Sequence, residues 1–277
     1  MAQSTKQVGN NLTIDHGNSR VKVALWTDAS TLPGSESSAA RVAGDRACVL
    51  SACYRRFTPS DLEALFKAHR IDSAIWCSVA GGDTALLQSL HTLCANVIEL
   101  TADTPTPLVI DYATPQTLGV DRIAAAVGAY TLDGACGNEL LVADIGTAIT
   151  YDRVTAQGDY LGGNIAPGIY MRLRALNHYT ARLPMVSTSG RVRMWGRDTE
   201  GALRAGAVNG VVAELEYYRG QLGDNAQVIM TGGASPLVQS RLSFRPQVIL
   251  DLVSRGLDAI VLYNAGLLTP ATDDIND

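Results

Sequence analysis

Two acidic turns hold the residue types from which phosphate and metal chemistry could be built. Asp15 to Lys22 reads D-H-G-N-S-R-V-K, a carboxylate and a glycine followed by Asn18, Ser19, Arg20 and Val21 before Lys22. Asp144 to Ala148 reads D-I-G-T-A and repeats the pattern, with Thr147 as its small polar residue. Apolar runs precede both turns, and apolar alternation resumes after each, as in a strand that enters a tight turn and returns. The backbone N–H groups of such turns face anions, and a carboxylate beside them faces a cation, which together meet the needs of a bound nucleotide and its metal. A single Asp-x-Gly turn is common in hairpins that bind nothing, so the repetition matters: it implies a duplicated domain with a cleft between the copies. Lys22 reads equally well as a phosphate contact and as an exposed strand charge. His16 reads more simply as a turn position than as a catalytic group.

A third cluster lies between the two turns. Gly119-Val120-Asp121-Arg122 sets a carboxylate beside a guanidinium at a helix start, where an acid gains about 0.3–1 kcal/mol from the helix dipole with no ligand present. The same pair would also serve phosphoryl transfer, with Asp121 accepting a hydroxyl proton and the fork of Arg122 orienting an anionic acceptor. Tyr112 reads as core or as pocket lining, and Thr199 as a helix cap residue or a ligand donor. Gly232-Gly233 reads as chain punctuation or as a surface for a flat base.

The elements that must position these groups follow from periodicity. Residues 12–26 form two strands around the first turn, 31–44 a loop, and 47–51 a further strand. A helix starts near Thr58-Pro59-Ser60-Asp61, with Ser60 as its cap and Leu62, Leu65 and Phe66 on one face. Residues 71–79 form a buried strand, 84–95 a helix and 97–100 another strand. Gly81-Gly82-Asp83-Thr84 lacks the lysine and spacing of a P-loop and reads as a helix start. Pro105, Pro107 and Pro115 make 101–116 extended, which divides the chain into domains at 1–116 and 117–277. Beyond it come a helix through Tyr130, strands at 139–143 and 148–154, and a third strand near Tyr160. The glycine-rich segment 162–168 then leads to a helix with Met171, Leu173 and Leu176. A long helix rich in small residues starts at Asp198 or Thr199, a strand runs from Val228 to Met230, and a last helix covers 258–267.

Composition narrows the classes of function. A chain of 277 residues with 47% hydrophobic and 18% charged residues is a globular protein of about two domains. A net charge of −5 with scattered basic residues argues against a nucleic-acid partner. No apolar stretch reaches the roughly 18 residues of a membrane span, and residues 1–10 are polar without the apolar core of a targeting segment. Five cysteines without a C-x-x-C pair read as small buried hydrophobes in a reducing compartment, so a cytoplasmic location is expected.

Taken in order, D-x-G-N-S-x-x-K at 15–22, Y-x-x-P-x-x-L-G-x-D-R at 112–122, D-x-G-T-A at 144–148, G-G-N-I-x-P-G at 162–168, D-T at 198–199 and T-G-G at 231–233 resemble the type III pantothenate kinases of the actin-like ATPase superfamily. The resemblance spans residues 12–267. It implies an α/β fold of two ribonuclease H-like domains with a nucleotide cleft between them, and transfer of the γ-phosphoryl group of ATP to pantothenate, which opens coenzyme A synthesis. It further implies that Asp15, His16, Gly17, Asn18, Ser19, Arg20, Val21 and Lys22 take the ATP phosphates, with Asp15 holding Mg²⁺ directly or through water. By the same resemblance Asp121 is the catalytic base, and Tyr112, Gly119, Val120, Asp121, Arg122 and Thr199 bind the acceptor. Thr147 contacts ATP, Asp144 holds a monovalent cation, K⁺ or NH₄⁺, and the protein is a homodimer. Ser19 stands where the family usually has threonine and keeps the hydroxyl. Asp198 stands where asparagine is commoner and adds negative charge near a pocket meant for an anion. Two rivals are a kinase of another small hydroxyl acceptor on the same fold and a non-enzymatic actin-like nucleotide-binding protein, which would not need the Asp121-Arg122 pair.

Overall fold

The computed structural model describes residues 9–31, 46–81, 83–135, 137–223 and 225–268. Most of the loop expected over 31–44, and also Gly82 and Cys136, lie outside these residues. By internal contacts the chain divides into two units, one of residues 1–136 with 252–277 and one of residues 137–251.

The first unit is built on strands β1 (Asn11–His16), β2 (Val21–Asp28), β3 (Arg46–Tyr54), β4 (Ser73–Ser78) and β5 (Val97–Glu99), in the order β3-β2-β1-β4-β5. The meander β1-β2-β3 is antiparallel, whereas β4 and β5 add parallel to β1. Five successive residues of β1, Asn11 to Asp15, are buried, as expected of a central strand covered on both faces. One core cluster gathers Leu12, Ile14, Val23, Leu25 and Trp76 with Leu62 and Leu86, the last two from helices α1 (Pro59–Ala68) and α2 (Thr84–Leu93). Helix α1 starts two residues earlier than its sequence suggests. Thr58, not Ser60, is its cap, in a reciprocal capping box with Asp61 and with Pro59 in the first turn. Proline suits that position because its missing N–H would have no helical partner there. A short strand β6 (Val109–Ile110) precedes α3 (Val120–Tyr130).

Helix α3 and the last helix, α7 (Leu252–Asn264), belong to this same unit and pack on one another. Their crossing is close because glycines form it: a side-chain carbon on Gly128 would strike the Leu252 carbonyl, and one on Gly256 the Ala124 carbonyl. Polar bonds also fix α7 to the sheet. Asp258 accepts from Asn11 Nδ2 at 2.7 Å and from Arg46 Nε and Nη2 at 2.8 Å each, while Ser254 Oγ accepts from Trp26 Nε1 at 2.8 Å. These contacts return the C-terminal helix to the N-terminal sheet and set the division after residue 136 instead of after 116. Helix α7 also starts six residues before the expected 258.

The second unit contains β7 (Leu140–Ile145), β8 (Ala148–Val154), β9 (Asp159–Pro167), β10 (Gln227–Thr231) and β11 (Gln247–Val248). Its own strands run β9-β8-β7-β10-β11, antiparallel across β7, β8 and β9 and parallel from β7 through β10 to β11. Relabelled from its first strand this is again 3-2-1-4-5, so the two sheets are copies of one topology. The glycine-rich segment 162–168 is mostly strand: β9 runs to Pro167, and Gly163 lies so tightly on the Tyr151 carbonyl that a side chain could not be accommodated. Helices α4 (Ile169–His178), α5 (Thr199–Leu222) and the four-residue α6 (Ser235–Val238) complete the unit. Its core joins Ala143, Ile145 and Ile149 to Leu173 on α4 and to Val208, Val211 and Leu215 on α5.

Candidate active site

Asp15 is the next-to-last residue of β1, the central strand of the first sheet. Across the ladder it faces Lys22 on β2 and Cys77 on β4, and Lys22 Nζ lies 3.4 Å from its carboxylate. The loop joining β1 to β2 is four residues, Gly17 to Arg20, closed by Gly17 N–H donating to the Arg20 carbonyl at 3.0 Å. Asn18, Ser19 and Arg20 are exposed on it. His16 leans back on β4, its ring 5.4 Å from that of Trp76 and its Nδ1 3.2 Å from Ser78 Oγ.

The carboxyl of Asp15 is held above its ordinary pKa, first by burial and then, against the pull of Lys22, by the negative charge of Asp121. Two carboxylates that repel across a buried site, with one lysine to offset them, suit a divalent cation. Among the described residues no three His, Cys, Asp or Glu side chains gather around one point. A Mg²⁺ ion there would therefore take its remaining oxygens from phosphates and water, as that ion commonly does.

Asp121 opens the second helical position of α3, after the cap residue Gly119 and Val120. Its Oδ1 accepts from the Arg122 N–H at 2.9 Å and lies where a side-chain carbon on Gly119 would sit, at 2.5 Å. Glycine at 119 therefore leaves room for the carboxylate to turn back over the helix start. The Arg122 guanidinium stands 6.0 Å from the ring centre of Tyr112, so cation and aromatic face are paired. Asp15, Lys22, Tyr112, Gly119, Val120, Asp121 and Arg122 are thus all carried by the first unit.

Asp144, Thr147 and Thr199 belong to the second. Asp144 occupies on β7 the place that Asp15 holds on β1, but faces Thr150 on β8 and Thr231 on β10. Here only Gly146, Thr147 and Ala148 join the paired Ile145 and Ile149. Gly232 has a φ of +89° and is pressed onto Asp144 Oδ1 and the Ile145 carbonyl, so only glycine fits. Gly168 lies against the carbonyls of Gly146 and Thr147 and donates its N–H to the latter at 3.0 Å. Thr199 is the first residue of α5, and its neighbour Asp198 is the cap, accepting from Gly201 N–H at 2.7 Å.

Several supporting groups carry no local motif. Cys77 is buried beside Asp15, its thiol pushed well up by burial and by the charges of Asp15 and Asp121. Only the pairing of two strands 62 residues apart brings it there. Arg172 on α4 donates from Nε to the Pro167 carbonyl and from Nη2 to both Glu214 oxygens, each at 2.7 Å. Glu214 on α5 also accepts from the buried Tyr151 hydroxyl at 2.7 Å, whose proton is held by burial and by that carboxylate. Gly210, one turn earlier on α5, leaves the space that Arg172 Nη1 fills, 3.0 Å from where its side-chain carbon would be. The hub clamps Pro167 and so the wall of the Asp144 turn. The i, i+4 spacing of Gly210 and Glu214 is the one sequence signal for it.

Two sheets of 3-2-1-4-5 order, each with an aspartate next to last on its first strand, define the actin-like ATPase and sugar-kinase class of fold. Over 92% of this chain and 97% of the other, the fold is similar to the crystal structure of component A of the (R)-2-hydroxyglutaryl-CoA dehydratase of Acidaminococcus fermentans, with a TM-score of 0.50 at 12% identity. In sequence, the pattern of the type III pantothenate kinase family matches residues 11–220. The type III pantothenate kinase of Porphyromonas gingivalis is 36% identical over 269 residues, covering 92% of this chain and 98% of that one. The enzyme of the same name from Bacteroides fragilis is 37% identical over 262 residues, covering 92% and 99%. The chain belongs to the type III pantothenate kinase family and is a kinase.

Proposed function

We propose that this chain transfers the γ-phosphoryl group of ATP to the primary hydroxyl of pantothenate, and that the residues of the first unit carry the reaction. The observation that supports this most directly is the coupling of Asp15 to both Lys22 and Asp121, beside Arg122 and Tyr112. A chain that only bound nucleotide would need the first pair but not the second.

In this reading the Gly17–Arg20 loop and Lys22 bind the phosphates through N–H groups and the ammonium. Asp15 holds Mg²⁺, which when bound neutralises phosphate charge. Arg122 pairs with the acceptor carboxylate and Tyr112 covers it, while Asp121 takes the hydroxyl proton as the new O–P bond forms and the β–γ bridge opens. Little covalent work falls to the protein, because such transition states are stabilised chiefly by positioning and charge. Thr147 contacts ATP. Asp144, with the Ile145 carbonyl converging on Gly232, holds a monovalent cation, K⁺ or NH₄⁺, for which oxygen ligands of low total charge are suited.

Thr199 meets the acceptor. A second copy of the chain covers the apolar side chains that α4 and the segment after it leave in solvent, Tyr170, Met171 and Leu176 with Tyr179, the last 82% exposed, because apolar groups exposed together mark interaction surfaces. A cytoplasmic location is supported by the unbridged thiols of Cys53, Cys77 and Cys94. Incubation of the purified protein with ATP, Mg²⁺, K⁺ and pantothenate should give a product heavier by one phosphate. Product with another hydroxyl acid only, or with none, would overturn the assignment.

A further inference from the structure

Ahead of α5 lies a cavity of about 310 Å³ lined by Arg191, Arg193, Arg197 and Arg204, with Asp198 and Glu200. Four guanidinium groups meet two carboxylates there, in a chain whose net charge is −5. Both acids are already engaged: Asp198 caps α5, and Glu200 is 3.9 Å from Arg204. The side chains of Arg191, Arg193 and Arg197 form no hydrogen bond or ion pair among the described residues.

The segment that carries them is braced, although it is irregular. Asn209 donates to the carbonyls of Arg193 and Met194 at 2.9 and 3.2 Å, Arg241 to that of Val192 at 2.8 Å, and Arg204 to that of Ser187 at 3.0 Å. Gly196 is seated so closely on Gly201 and Ala202 that no side chain would fit. The positive N-terminal end of the 24-residue α5 opens at the same place.

We propose that this cavity is a docking site for the carboxylate of the acid acceptor. It draws that anion to a protein that otherwise repels it and so raises the rate of capture. Three guanidinium forks without internal partners, on a braced frame, match a carboxylate or phosphate and leave a neutral molecule unrecognised. The proposal rests on the pantothenate kinase reading for the identity of the anion. Attraction of this kind appears in kcat/KM and in its dependence on salt, and leaves the chemical step untouched.

The test compares the wild-type protein with the double variant Arg191→Ala/Arg193→Ala at low and high ionic strength, using pantothenate and its neutral alcohol analogue as acceptors. Both arginines lack internal partners, so the variant should keep its melting temperature. The expected result is a kcat/KM for pantothenate lower by about tenfold at low salt and a flattened salt dependence. The value of kcat, the KM for ATP and all constants for the neutral alcohol should be unchanged. An unaltered salt slope and acid-to-alcohol ratio would overturn the proposal. A change confined to the KM for ATP would overturn it too, by assigning the cavity to nucleotide phosphates. Failure of the wild-type protein to phosphorylate pantothenate would instead sink the functional reading, and direct titration of both proteins with pantothenate would still decide the cavity.

Discussion

The two Asp-x-Gly hairpins occupy the same place in two copies of one sheet, yet they surround their aspartates differently. Asp15 has Lys22 on one side, Cys77 on the other and the charge of Asp121 within reach, and its loop is four residues with three exposed. Asp144 lies between two threonines, beneath a glycine that admits no side chain, and its turn is one residue shorter. Duplication thus determines where a carboxylate stands, whereas the neighbouring strands determine which charge it can serve. A pair of mutually repelling carboxylates fits a small divalent ion, and a single carboxylate among hydroxyl and carbonyl oxygens fits a weaker field.

The largest effect should come from the group that only the first hairpin has beside it. Asp121→Asn should lower kcat by at least about 100-fold and leave the affinities for ATP and pantothenate near their wild-type values, as read from equilibrium titration and single-turnover rates. Near-normal turnover would remove Asp121 as the base and with it the main chemical difference between the copies. Next in size, Asp144→Asn should abolish activation by K⁺ and lower kcat/KM for ATP by about 10- to 100-fold, the cost of one contact to a charged group. Its Mg²⁺ dependence should be unchanged. If Asp144→Asn shifted the Mg²⁺ dependence instead, the division of labour between the hairpins would fail.

Much of this comparison was legible in sequence. The repeated phrase marked both hairpins, and the periodicity of 120–130 gave α3 with its Asp121-Arg122 start where the structure has it. The placement of α7 was not legible, because its bonds to Asn11, Trp26 and Arg46 join residues more than 200 positions apart. No proline-rich stretch records that return. The strand over 162–167 was not legible for a related reason: a run of glycines carries no strand signal, and Gly163 is small because β8 passes against it. Cys77 and Arg172 act through strand register and helix packing, and neither leaves a local pattern.

Backbone room offers a third, smaller test of the same contrast. Gly232→Ala meets both a left-handed φ and the Asp144 carboxylate, and should cost roughly 1–3 kcal/mol in urea unfolding. Gly17→Ala has only an ordinary contact, 3.4 Å from the Arg20 carbonyl, and should stay within about 1 kcal/mol of wild type. Equal costs would mean that the second turn is no more tightly built than the first.

The smallest effect concerns charge rather than space, and its sign is opposite to that of most active-site losses. The Asp15 pKa is raised in the folded protein, so the native state binds its proton more tightly than the unfolded chain does. Stability then falls as pH rises from the ordinary carboxylate range through the raised value. Asp15→Asn removes that loss. Lys22, which it leaves behind, is 45% exposed and finds water. The variant should therefore melt slightly higher than wild type at pH 7 without Mg²⁺, and the gain should shrink as pH is lowered toward 4, while phosphoryl transfer is lost. Mg²⁺ and ATP together should raise the melting temperature of wild type and not of the variant. A variant that melts lower than wild type at pH 7 would mean that the ion pair with Lys22 outweighs burial, and the first hairpin would then be stabilised by the charge it uses.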